Sequence, residues 1–217
     1  MDPAGPVRTV VKVCGLTRLE DARVAREAGA DWLGFVLKGD TPRCIEPEQA
    51  ARIAGELPGA TAVAVLVSPA PEEALDLARR ARAQRVQLHR VDPLKWPESF
   101  PLPVVFAVPV AGDGSLEESL PPVRHLVLLD TAHRTLAGGT GERFPWETAR
   151  VVAATRDVLL AGGLDADRVV AALETVRPFG VDASSRLETA PGLKDPEKVR
   201  RFVAAVRRWE QRQDDRT

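Results

Sequence analysis

Short apolar runs alternate with amphipathic stretches eight times along the chain, and this alternation constrains the fold more than any other feature. The strands expected from it are residues 9–14, Asp31–Leu37, Ala62–Val67, Arg85–His89, Val104–Val108, Leu126–Asp130, Val158–Ala161 and Gly180–Asp182. Most are apolar at successive positions, as strands buried on both faces of a parallel sheet must be. Between them the spacing predicts helices over about 18–28, Pro47–Leu57, Glu72–Arg82, Leu94–Phe100, Leu116–Leu120, Trp146–Ala154 and Asp165–Val176. A final amphipathic helix over Asp195–Gln211 closes the chain. Thr17 with Glu20 reads as a capping box for the first helix, and Gly29 as its stop. Eight units of about 27 residues, with no low-complexity linker between them, give an α/β chain folded as a single-domain (β/α)8 TIM barrel over residues 1–217. The competing doubly wound sheet would carry a Gly-rich fingerprint after its first strand, and Cys14-Gly15-Leu16-Thr17 lacks one.

Thirty basic against 31 acidic side chains leave a net charge of -1, which argues against nucleic acid or an anionic membrane surface as a partner. No apolar run approaches the ~18 residues of a membrane span. The opening Met1-Asp2-Pro3-Ala4-Gly5-Pro6 lacks the basic and apolar regions of an export signal. Only two cysteines occur, without metal-ligand spacing, so a reduced cytoplasmic setting is expected and no metal is implied.

In such a barrel the active site lies at the C-terminal ends of the strands. The residues there are Cys14, Arg43 just beyond strand two, Gln87 and His89, Asp130, Gly162-Gly163, and Asp182 with Ser184-Ser185. Any one of them is explained as a strand-end cap or turn; the whole set is not. Gly162-Gly163 and Ser184-Ser185 follow strands seven and eight, where barrels commonly hold phosphate on backbone N–H groups. Cys14 and Asp130 stand well apart on the rim, placed to face a small substrate as base and acid. Lys12 shares the face of Cys14 at roughly 7 Å along the strand. It either favours the thiolate or pairs with Asp182, since strand eight closes the barrel beside strand one; both roles are compatible. Gln87 and His89 read as rim supports that pack and hydrogen-bond, and Cys44 as a loop bystander. His133 and the Gly-rich loop Gly138-Gly139-Thr140-Gly141 follow strand six.

Lys12-Val13-Cys14-Gly15-Leu16-Thr17, Pro42-Arg43-Cys44-Ile45, Gln87-Leu88-His89, Leu129-Asp130, Gly138-Gly139-Thr140-Gly141, Ala161-Gly162-Gly163-Leu164, Gly180-Val181-Asp182-Ala183-Ser184-Ser185 and Pro191-Gly192-Leu193-Lys194-Asp195 follow one another in order. Together they resemble the phosphoribosylanthranilate isomerases of tryptophan biosynthesis over nearly the whole chain. The resemblance implies an Amadori rearrangement of a phosphoribosyl substrate without a cofactor, carried out by a monomer or homodimer. By it Asp130 would be the general acid that opens the ribose ring, and Cys14 the general base at C2. Arg43 would bind the anthranilate carboxylate, and backbone amides of Gly162, Gly163, Ser184 and Ser185 the phosphate. Three positions depart from the expected pattern: Thr41 replaces a serine, and Arg90 and Arg186 stand where glycine is usual. Arg186 would add a cation beside the phosphate. The related barrel isomerase of histidine biosynthesis is the rival enzyme, but an aspartate is expected there in place of Cys14. A sugar-phosphate-binding barrel without catalysis is the rival from another class, and it would more readily have lost Cys14 or Asp130.

Overall fold

The structure, a computed structural model, describes residues 8–131 and 145–215. Eight parallel strands close on themselves in sequence order: β1 (Val10–Cys14), β2 (Trp32–Lys38), β3 (Thr61–Val67), β4 (Arg85–His89), β5 (Val104–Val110), β6 (Leu126–Thr131), β7 (Val158–Leu160) and β8 (Gly180–Ala183). Closure is made by β1 against β8, with Lys12 in register with Asp182. Six α-helices lie among the described residues: α1 (Leu19–Ala28), α2 (Pro47–Gly55), α3 (Pro71–Arg80), α4 (Trp146–Ala153), α5 (Val169–Val176) and α6 (Pro196–Asp214). The expected barrel is therefore present, with its strands within a few residues of their sequence-based bounds.

The strand period of two divides the core. One set of residues, including Val11, Val13, Leu33, Phe35, Val86 and Leu88, packs outward under the helices. The alternate set, including Cys14, Trp32, Val63, Val65, Val105, Leu128 and Leu159, fills the barrel lumen. Lys12 and Gln87 are buried on the same inward phase. Towards the N-terminal ends of the strands the Arg85 guanidinium stacks 4.4 Å over the Trp32 ring.

Four local expectations need correction. The segment Leu94–Phe100 forms turns instead of a helix, with Lys95 N–H donating to the Asp92 carbonyl and Phe100 N–H to the Pro97 carbonyl. Pro93 and Pro97 remove the amide donors a helix there would need, and Trp96 is buried against Phe100 and Phe106 instead. Leu116–Leu120 is not helical either; Leu116 bridges antiparallel to Val110. Thr17 does not cap α1: Arg18 occupies the cap position, and the Thr17 hydroxyl donates to the Gly192 carbonyl at 2.7 Å. Asp165 starts a turn, its carboxylate accepting from Asp167 N–H, and α5 begins only at Val169. The closing helix begins at Pro196, and Asp195, expected as its first residue, caps it by accepting from the N–H groups of Glu197 and Lys198. Between β8 and α6 the chain adds a single 3-10 turn (Ser185–Leu187) and an antiparallel pair, β9 (Glu188–Ala190) with β10 (Leu193–Lys194), which periodicity did not predict. His133 and the Gly-rich loop at 138–141 lie outside the described residues.

Candidate active site

Cys14 ends β1 with its side chain turned into the lumen, and the residue is 7% exposed. Room for it comes from Gly34 on the neighbouring strand. A Cβ there would lie 2.9 Å from Cys14 Sγ and 3.2 Å from Lys12 Cε, so any larger residue would displace the thiol. Burial pushes the Cys14 thiol up; the cations of Lys12 and Lys194 pull the other way, and the Asp182 carboxylate adds to the rise. The thiol is thus the resting form.

Lys12 is fully buried, and its Nζ donates to Asp182 Oδ2 at 3.0 Å. Burial alone would lower its pKa, but Asp182 and Cys14 together raise it, so the ammonium persists beneath the thiol. Both roles weighed for Lys12 are compatible in this geometry. On β4, the Gln87 amide nitrogen lies 2.8 Å from His89 Nε2. Burial, reinforced by Lys12 and Arg90, lowers the His89 pKa to about 4. The imidazole is therefore neutral at physiological pH. Its Nε2 pairs with the Gln87 amide, and the tautomer sets which of the two donates.

Asp130 is the penultimate residue of β6, separated from β1 by β7 and β8. Its Oδ1 is 3.5 Å from where a Cβ on Gly162 would stand, so it adjoins the turn after β7. The turns after β7 and β8 also meet. A Cβ on Gly163 would lie 3.4 Å from Arg168 Nη1 and 3.8 Å from Arg186 Nε. Arg168 Nη1 donates to the Gly163 carbonyl, while the Ser184 hydroxyl donates to the Cys14 carbonyl at 3.0 Å and ties the β8 turn to β1. The cation expected at Arg186 is thus beside the glycine turn.

Arg43 holds a surprise. Its Nε and Nη2 donate to the two carboxylate oxygens of Glu188 at 2.9 and 2.6 Å, and Nη1 donates to the Thr41 hydroxyl at 3.3 Å. Lys194 Nζ donates to Glu188 Oε1 at 2.8 Å and to the Ser184 carbonyl. Burial would raise the Glu188 carboxyl, but Arg43 and Lys194 hold it below its ordinary value. Neither Glu188 nor Lys194 was singled out from sequence. Lys194 lay inside a quoted motif, whereas Glu188 meets Arg43 across 145 positions and carries no local signal. Cys44 is exposed, and both cysteines are free. Among the described residues no group of three or more His, Cys, Asp or Glu is placed to hold a metal ion.

A closed eight-stranded parallel barrel with a buried thiol, a carboxyl group and a glycine turn on its C-terminal rim is a (β/α)8-barrel enzyme. A family model described as N-(5'-phosphoribosyl)anthranilate (PRA) isomerase matches residues 11–205. The chain belongs to that family. It is 43% identical over 204 residues to the N-(5'-phosphoribosyl)anthranilate isomerase of Geobacter sulfurreducens, covering 92% of this chain and 98% of that one. Identity to the Rubrobacter xylanophilus enzyme is also 43%, over 202 residues, 91% of this chain and 98% of the other. Among solved structures, the Thermotoga maritima enzyme superposes with a TM-score of 0.80 at 34% identity, covering 92% and 98% of the two chains. A phosphoribosyl anthranilate isomerase in complex with reduced 1-(o-carboxyphenylamino)-1-deoxyribulose 5-phosphate superposes with a TM-score of 0.78 at 33% identity, with the same coverage.

Proposed function

We propose that this chain converts N-(5'-phosphoribosyl)anthranilate to 1-(2-carboxyphenylamino)-1-deoxyribulose 5-phosphate in tryptophan biosynthesis, with Cys14 as general base and Asp130 as general acid. The observation that carries the reading is the buried Cys14 thiol over the Lys12 ammonium, in a chain matched to the isomerase family over residues 11–205. Asp130 protonates the ribose ring oxygen as the C1–O bond breaks, and the nitrogen lone pair forms the C=N bond of a Schiff base. The Cys14 thiolate then removes the C2 proton, and the C–H electrons form the C1=C2 bond of an enolamine. Loss of the C2 hydroxyl proton and protonation at C1 give the ketone. The sum is an isomerisation, so no oxidant or reductant is consumed.

The remaining residues bind and orient. Arg43 takes the substrate carboxylate, a task suited to a planar guanidinium. Backbone amides at Gly162, Gly163, Ser184 and Ser185 take the phosphate, with Arg186 and Arg168 close to Gly163. Lys12 supports the thiolate and is itself held by Asp182. Gln87 fixes the neutral His89 ring at the rim. Every proposed residue comes from one chain, so monomer and homodimer both accommodate the reaction; a Thermotoga maritima relative is described as dimeric. A step on a diffusible phosphorylated metabolite suits a cytoplasmic setting. The test is the fluorescence of freshly made phosphoribosylanthranilate. It is expected to decay at a rate proportional to added protein, and decay no faster than in buffer would contradict the proposal.

A further inference from the structure

The Arg43–Glu188 pair occupies one face of the guanidinium and leaves another. Arginine offers two carboxylate-matching edges, a side edge formed by Nε and one Nη, and an end edge formed by the two outer N–H bonds of Nη1 and Nη2. Glu188 fills the side edge and Thr41 meets Nη1. Three of the five N–H groups are engaged in this way, which leaves one N–H of Nη2, at the end edge, and one of Nη1. We propose that Glu188 is a positioning residue, which fixes the plane of Arg43 so that this end edge faces the substrate carboxylate. The inference rests on the reading that Arg43 binds that carboxylate.

Glu188 is well suited to be an anchor. Its residue is 8% exposed and begins β9; its carbonyl accepts from Lys198 Nζ at 2.8 Å, and its carboxylate accepts from Lys194. The Lys194 backbone N–H is in turn held by the buried Asp21 carboxylate at 3.1 Å. Below the guanidinium, Gly15 lets the arginine stem approach: a Cβ there, at φ +74°, would lie 2.7 Å from Arg43 Cδ. Charge is balanced in the substrate's favour as well. Arg43 and Lys194 each carry one positive charge and Glu188 one negative, so the trio keeps a net positive charge towards an incoming anion despite its carboxylate. Without Lys194, Glu188 would neutralise the residue it orients.

The test compares dissociation constants for two stable ligands, the reduced carboxyphenylamino-deoxyribulose 5-phosphate and its phenylamino counterpart without the carboxyl group. The wild-type chain is expected to prefer the carboxylated ligand, and Arg43→Lys to lose most of that preference. Glu188→Gln is expected to reduce it about tenfold, the scale of a weakened charged hydrogen bond, while binding of the phenyl ligand stays unchanged. In turnover the same variant raises KM more than it lowers kcat. Should Glu188→Gln fail to fold, Glu188→Asp keeps the charge that Lys194 needs but is too short to reach both Nε and Nη2, and the preference falls likewise. A wild-type preference in a folded Glu188 variant, with Arg43→Lys impaired, would overturn the positioning role and leave Arg43's own role standing. An unchanged preference in Arg43→Lys would overturn both.

Discussion

Cys14 lies where two opposing effects meet. Burial raises the thiol pKa, the Lys12 and Lys194 cations lower it, and burial prevails. The proposed active form needs a thiolate at Cys14 and a carboxylic acid at Asp130. A base of this kind is a minor species drawn on during turnover. The consequence is measurable with a thiol reagent. Alkylation of Cys14 by iodoacetamide, followed in a Cys44→Ser background, should rise about tenfold per pH unit from pH 7 to 9 without a plateau. Levelling off below pH 8 would mean that the cations prevail over burial and that the thiolate is the resting form. At this scale the positions of Cys14 and Asp130 were legible in the sequence, because both are polar residues at the ends of strands that are otherwise apolar. Glu188 was not legible: in sequence it is one more carboxylate in a turn, and only the fold brings it to Arg43.

Between elements, the β1–β8 seam is held by backbone pairing and by one buried ion pair, Lys12–Asp182. Strand order alone predicted that contact, since a closed barrel must bring its first and last strands together. Removing one member leaves the other charge buried without compensation. Asp182→Ala is therefore expected to cost about 3–5 kcal/mol of folding stability. Adding Lys12→Met is expected to restore a good part of it, as read from urea midpoints at neutral pH. A double variant less stable than Asp182→Ala would contradict this account of the seam. The elements missed from sequence share a cause. Leu94–Phe100 and Leu116–Leu120 show some helical spacing, but Pro93, Pro97 and the buried Trp96 impose turns on the first, and the second is drawn onto β5 by the Leu116–Val110 bridge and the Glu117 N–H to Pro109 carbonyl bond. Thr17 has the residue type of a cap, yet the Gly192 carbonyl, 175 positions away, engages its hydroxyl first. Tertiary partners of this kind leave no mark on local periodicity.

Across the whole molecule, the near-neutral net charge coexists with a rim that gathers Lys12, Arg43, Lys194, Arg168 and Arg186 around an anionic substrate's expected position. Composition averaged that asymmetry away; Lys12, Arg43 and Arg186 were legible in the sequence, whereas Lys194 and Arg168 reach the rim only through the fold. The eight-fold alternation was sufficient for the barrel because parallel strands buried on both faces have few other closed arrangements. The barrel then places Cys14 and Asp130 on strands β1 and β6, with the two turns after β7 and β8 between them. That placement is the central claim, and it is tested most directly by kcat/KM for phosphoribosylanthranilate in Cys14→Ala and Asp130→Asn, beside each variant's dissociation constant for the reduced product. The account predicts that each substitution lowers kcat/KM by at least about 10²-fold while the dissociation constant changes only a few-fold. Near-normal turnover in either folded variant would contradict it.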